Sequence, residues 1–252
     1  MAKRGSKKTE VKKSEEKSDV KNKESVSFKI PNFKQMFLEP SAFLNSIEKQ
    51  DKYQPLIRDF VILYIIWFII SLIITAIASK VPFNSELLSG VVLGFVNGVI
   101  FSVIAPFILA GVIHIILKIF KAKEGFFNTY KLIVYALMIA VLYGFIMLLV
   151  GLVIQFIIPI DSSMFQTITT AQDQNVVMQA YKDYIKQPGA IILLIINLIA
   201  VIHILVFSVM GIMKFQKIQK VKAIFAVILA WIIIFTLLVL LAVLTSSQAA
   251  IA

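Results

Sequence analysis

Cysteine does not occur in the 252 residues. That excludes a disulfide framework, thiolate metal sites and cysteine nucleophiles. Histidine occurs only twice, as His114 and His203, and no Asp or Glu falls inside the apolar runs that follow the first. A metal site needs three or four ligands, so neither a metal nor a cofactor is expected. The catalytic signatures are missing as well. There is no H-E-x-x-H, no G-x-S-x-G and no G-x-x-x-x-G-K-[ST], which removes zincin, serine-hydrolase and P-loop chemistry. No paired carboxylates lie within an apolar run, and the expectation is a protein that is not an enzyme.

What the chain has instead is apolar length. Hydrophobic residues make up 59% and mean hydropathy is +0.90, against about 45–50% apolar residues in a soluble domain. The excess is gathered into five runs, about 60–79, 91–117, 132–158, 190–213 and 223–244. About 20 helical residues cross a ~30 Å hydrocarbon core. The expected fold class is all-α, a polytopic integral membrane protein with five transmembrane helices in a domain over 58–246 and a short tail at 247–252.

Net charge is +11, which raises the question of a nucleic-acid partner. The positions of the lysines argue against one, because they lie in the N-terminal region and beside apolar runs. Five spans put 22 of the 25 Lys and Arg residues on one side and 3 on the other. The positive-inside rule then places the N-terminus inside and the C-terminus outside, in the cell membrane. Residues 1–27 are a Lys/Glu/Ser mixture that buries too little to offset ordering, so a disordered cytoplasmic tail is expected. No apolar segment of a secretory signal follows it. Over 28–57, Phe33, Met36 and Phe37, then Phe43, Leu44 and Ile47, recur at helical spacing on either side of Pro40. This reads as one or two amphipathic helices lying at the membrane surface. In the long connection 159–189, Val176, Val177, Ala180, Tyr181, Tyr184 and Ile185 predict a further short amphipathic helix.

Several polar and small residues stand inside the spans. Gly90, Gly94 and Gly98 form a double G-x-x-x-G, a pattern that lets helix backbones approach. The expected use is packing within the bundle, with self-association as the sharper reading. Pro106 predicts a bend in the same helix. His114 stands one turn before Lys118, while His203 is eleven residues before Lys214, ~16 Å along the axis and near mid-bilayer. Buried ionisable groups at that depth face the bundle interior. Asn97, Asn197, Gln155, Ser208 and Tyr143 are the candidate partners of His203, and both histidines are read as packing elements. Lys118, Lys121, Lys123, Lys131, Lys214, Lys217, Lys220 and Lys222 are candidate contacts for anionic lipid headgroups.

Three stretches, LEPSAFLNSI, HIILKIFKAKEGFFNTYKLIVYALMIAV and GIMKFQKIQKVKAIFAVILAWIIIF, resemble the Yip1 domain family over about residues 37–245. The matching positions are Pro40 and Phe43 ahead of the first span, then His114, Lys118, Gly125 and Phe126. Tyr135 and Ala136 follow in the third span, and Lys222 and Ala223 open the fifth. The resemblance implies a cytoplasmic N-terminal region and five transmembrane helices. Eukaryotic members are associated with vesicle traffic and bind Rab-type GTPases. Their D-L-Y-G-P element is matched here only at Asp51, Tyr53 and Pro55, and the Lys/Ile-rich composition looks prokaryotic, of archaeal type. Both observations argue against a Rab-type partner.

The function expected is therefore a membrane-organising or trafficking-like scaffold or adaptor, in contact with the bilayer and with other membrane proteins or copies of itself. A transporter or channel, with a path lined by Asn97, His114, Asn197 and His203, is the alternative from another class. An accessory subunit of a membrane complex is a third.

Overall fold

The structure is a computed structural model that describes residues 32–79, 85–157 and 174–249. The expected tail at 1–27 lies outside the described residues, as do 28–31 of the expected surface segment and much of the connection 159–189. Helices, and no strands, are found among the described residues. They are α1 (Phe33–Leu38), α2 (Pro40–Ser46), α3 (Tyr53–Ser79), α4 (Ser85–Ile119), α5 (Phe126–Ile157), α6 (Gln174–Tyr184), α7 (Pro188–Gln216) and α8 (Lys220–Ala249). The helix expected in the long connection is α6. Five of the eight, α3, α4, α5, α7 and α8, are long and apolar enough to cross a membrane. The all-α, five-span fold class is the one observed.

Each spanning helix runs past the apolar stretch that signals it. Pro188 starts α7 at its first position, where a missing N–H is harmless and φ is preset. Asn32 caps α1 through its side chain, accepting from the Gln35 N–H at 3.1 Å. Helix α4 continues unbroken through Pro106. It is 35 residues long and α5 is 32, about 50 Å each at 1.5 Å per residue. A ~30 Å core leaves several turns to spare. Beyond the apolar runs, α4 extends mainly at 85–90 and α5 at 126–131.

Helix α5 is the axis of the fold. It packs against α3, α4 and α7, while α8 closes the bundle between α4 and α7. Burial is concentrated at the lysine-rich end. There α5 buries Thr129 through Ala136 without a break, then Met138 and Ile139. Around them lie Leu56, Phe60 and Leu63 of α3, Ala110, Ile116 and Leu117 of α4, Phe207, Ile212 and Phe215 of α7, and Ala223, Ala226 and Ala230 of α8.

Helices α1 and α2 complete this packed end. Their amphipathic pattern is present, and its apolar side packs against the bundle. Met36, Phe43 and Leu44 are almost fully buried in the same core as α5 and α7. Phe37 sets its ring 5.3 Å from Tyr143 and 5.1 Å from His203. Tyr143 is twelve residues beyond Lys131, about 18 Å of helix. The segment therefore wedges along α5 and α7, with its Phe and Met side chains packed against them.

Candidate functional site: the lysine-rich end of the bundle

The centre of this end is Lys131, one turn into α5. The residue is 1% exposed, so its place among the headgroup-contacting lysines is corrected. Its ammonium donates to the main-chain carbonyls of Ile47, Glu48 and Gln50 at 3.2, 3.1 and 3.1 Å. Three donors meet three acceptors, which satisfies the buried cation. These carbonyls follow the last turn of α2, where a positive charge is favourable. The ring of Phe215 lies 4.5 Å from the ammonium and that of Phe127 5.6 Å, adding cation–π attraction. Beside it, the Tyr135 hydroxyl donates to Gln50 Oε1 at 2.8 Å, and the Phe43 ring stands edge-on to Tyr135 at 5.1 Å. The N-terminal helices are thus fastened to α5 by one buried lysine, one tyrosine and an aromatic contact.

Lys214 is also bound within the chain. It pairs with Glu48 at 3.1 Å and donates to Asn45 Oδ1, which ties the end of α7 to α2. A second network joins α4, α5 and α7. His114 Nδ1 is 2.9 Å from the buried Thr129 hydroxyl, which also accepts from Gln216 Nε2 at 2.9 Å. The Phe126 ring stands edge-on to His114 at 5.5 Å. His203 takes Tyr143 from its candidate partners, Oη to Nδ1 at 3.2 Å. Its Nε2 is buried and makes no well-aligned hydrogen bond, with the Met36 main chain beside it.

The two connections at this end are linked to each other. Lys118 donates to the carbonyls of Ala122 and Glu124, both at 3.3 Å. Lys217 pairs with Glu124 at 2.6 Å, and the Glu124 carboxylate holds its ammonium above the ordinary lysine range. Lys121, Lys123, Lys220 and Lys222 are exposed and make no ion pair among the described residues.

The remaining candidates do not join the site. Of the three glycines, Gly98 alone is packed within the chain, against the Tyr64 hydroxyl; a Cβ at Gly90 or Gly94 would meet nothing within 4 Å. Asn97 and Asn197 are exposed and make no hydrogen bond among the described residues. The four residues of the transporter reading therefore do not converge. Asn97 and Asn197 face outward, while the histidines belong to separate networks. Thr129, Gln216 and Gln50 were missed by sequence reading. Their signal was faint: single polar residues in or beside apolar helices.

The positions that carry the family pattern gather at this end. Pro40 opens α2, Phe43 meets Tyr135, and His114 meets Thr129 and Phe126. Lys118 holds the connection that contains Gly125, and Ala136 and Ala223 are buried. Comparison with curated proteins and with solved structures finds no match. The family profile of the Yip1 domain matches residues 34–241, beginning inside α1 and ending inside α8. That family is a non-enzymatic membrane family. The match covers all five spanning helices and both N-terminal helices, and the chain belongs to the Yip1 domain family.

Proposed function

We propose that this chain is a non-catalytic scaffold or adaptor of the cell membrane, with its lysine-rich end in the cytosol. The observation that carries the reading is the buried Lys131, whose three carbonyl bonds make α1 and α2 part of the membrane domain. The result is a rigid face built from the N-terminal helices, the ends of α4, α5 and α7 and the start of α8. A fixed, basic, half-polar face of this kind suits docking to other membrane proteins or to further copies. Lys131, Lys214, Thr129 and Gln216 on this face are engaged in contacts within the chain, which supports holding over transport. The distribution of 22 lysines and arginines on this side supports its cytosolic placement.

Two measurements on the full chain test the reading. In proteoliposomes, H114A/H203A should leave the flux of small ions and solutes at the background level of the wild type. In mild detergent, the wild type should retain a stoichiometric membrane-protein companion or a second copy, and K131A should lose it. A solute flux abolished by the double histidine change would overturn the scaffold in favour of a transporter. A wild type that purifies as a bare monomer would overturn it as well.

A further inference from the structure

Helix α4 ends at Ile119 and α7 ends at Gln216. The chain leaves each by a left-handed residue, Lys121 at φ 63° and Lys217 at φ 52°. Among the described residues these are the only two with positive φ, and no glycine has it. Left-handed backbone is unfavourable for a residue with a Cβ, and the position after a helix end is ordinarily taken by Gly or Asn. Both places hold lysine instead. Strained positions of this kind persist where something else rewards them.

The two lysines belong to one surface. Gln216 Nε2 reaches the Gly125 carbonyl at 3.4 Å as well as Thr129, and the Lys217–Glu124 pair closes the gap between the connections. Ala122, next to Lys121, is buried and donates its N–H to the Leu117 carbonyl at 3.0 Å, which fixes the path of the chain around Lys121. Glu124 is the one carboxylate in the two connections, against Lys118, Lys121, Lys123, Lys217, Lys220 and Lys222. Exposed apolar side chains flank these cations: Ile119 at 70%, Val221 at 63% and Phe225 at 60%. Lysines directly beside exposed apolar helix ends sit at headgroup depth when the helices cross a bilayer.

We propose that the paired connections 120–125 and 217–222 form a binding site for the phosphate of an anionic phospholipid headgroup, with the left-handed Lys121 and Lys217 as its two sides. Lys123, Lys220 and Lys222 extend the positive field around it, and Lys118 and Gln216 hold its framework. The proposal deepens the scaffold reading by naming a lipid partner for the same face, and rests on this end lying at a membrane surface.

Glycine at the two left-handed positions separates charge from structure, because it relieves the backbone while removing the cations. The full-length wild type and K121G/K217G would be placed in nanodiscs of phosphatidylcholine alone and of phosphatidylcholine with phosphatidylglycerol. Thermal unfolding and the phosphatidylglycerol retained after detergent extraction would be measured. The wild type should unfold at a higher temperature with phosphatidylglycerol and retain it. The double variant should match or exceed the wild type in phosphatidylcholine, lose the lipid-dependent rise and retain about ten-fold less phosphatidylglycerol. Free glycerol phosphate at equal concentration should not reproduce the rise; if it does, the site reads a soluble phosphate and the lipid assignment is overturned. K182Q/K186Q, at the opposite end of α7, should behave as wild type. Equal retention by K121G/K217G and wild type, or no rise in the wild type, would overturn the site. Companion capture through the Lys131 face is a separate readout, so the scaffold can stand if the lipid site falls.

Discussion

The two halves of the same helices follow opposite packing rules. In the lysine-rich half of α5, Thr129 to Ile139 are buried almost without interruption. In its far half, Ile146, Leu149, Val153 and Phe156 are 40–74% exposed. Helix α7 repeats the contrast, burying Phe207, Ile212 and Phe215 while Ile191, Leu194, Ile195, Leu198 and Ile199 stay open. Composition does not explain this, since both halves are rich in Leu, Ile and Val. The medium does. In hydrocarbon an exposed Leu loses nothing, because lipid tails are as apolar as its neighbours. A side chain that lies beyond such a core meets water and headgroups, where burial is favourable. The lysine-rich half is thus packed in the manner of a soluble core, with α1 and α2 as its cover.

The largest test of the contrast is a pair of truncations. Phe43→Ala, in the packed half, should cost about 3–5 kcal/mol. Leu149→Ala, in the far half, should stay within about 0.5 kcal/mol. Thermal or denaturant unfolding in one detergent compares them, and similar losses would erase the distinction between the halves.

Next comes the fastening of the wedge. Lys131→Met keeps the length of the side chain but strands three buried carbonyls, at a cost of about 2–3 kcal/mol. The segment 39–52 should then become sensitive to limited proteolysis while the spanning helices survive. Unchanged protection of that segment would show that the aromatic contacts alone hold it.

Glycines give a smaller effect. Gly211 faces Leu132 in the packed half, whereas Gly94 faces open space within the chain. Gly211→Leu should destabilise by about 1–3 kcal/mol through overpacking, and Gly94→Leu should not change unfolding of the monomer. Equal losses at both would mean that Gly94 is covered by another copy.

The smallest effect is electrostatic. Lys217 is held above the ordinary lysine range by Glu124. A folded value above the unfolded one contributes stability that is complete below the unfolded value. It is lost as pH rises through the folded value, in the alkaline range beyond the usual lysine titration. Glu124→Gln should return Lys217 toward its ordinary titration, followed by NMR of labelled lysine, with little change in unfolding because the pair is exposed.

Much of the fold was legible in the residues. Long apolar runs report a span directly, so α3, α4, α5, α7 and α8 were all foreseen, with bounds that fell short where polar residues join a helix. The amphipathic spacing over Phe33–Ile47 also gave helices truly, but spacing names a buried side without naming what buries it. Lipid and protein satisfy Phe43 equally well on that criterion. Lys131 shows the same limit from the polar side. A lysine at the edge of an apolar run reads as headgroup-facing, and only the path of α2 brings three carbonyls to it. The partner of His203 was legible as a choice among five residues, and depth along α5 decided for Tyr143.

The central claim is that the N-terminal helices are an integral part of the membrane domain. The absence of cysteine makes one test clean. Glu48→Cys/Lys214→Cys introduces the only two thiols at sites whose native side chains meet at 3.1 Å. Treated in native membranes with a short bismaleimide, this protein should form the intramolecular cross-link, and a control pair at Glu48 and Lys182 should not. If both thiols label fully with a monofunctional maleimide yet no cross-link forms, α2 does not lie against the end of α7 and the account is contradicted.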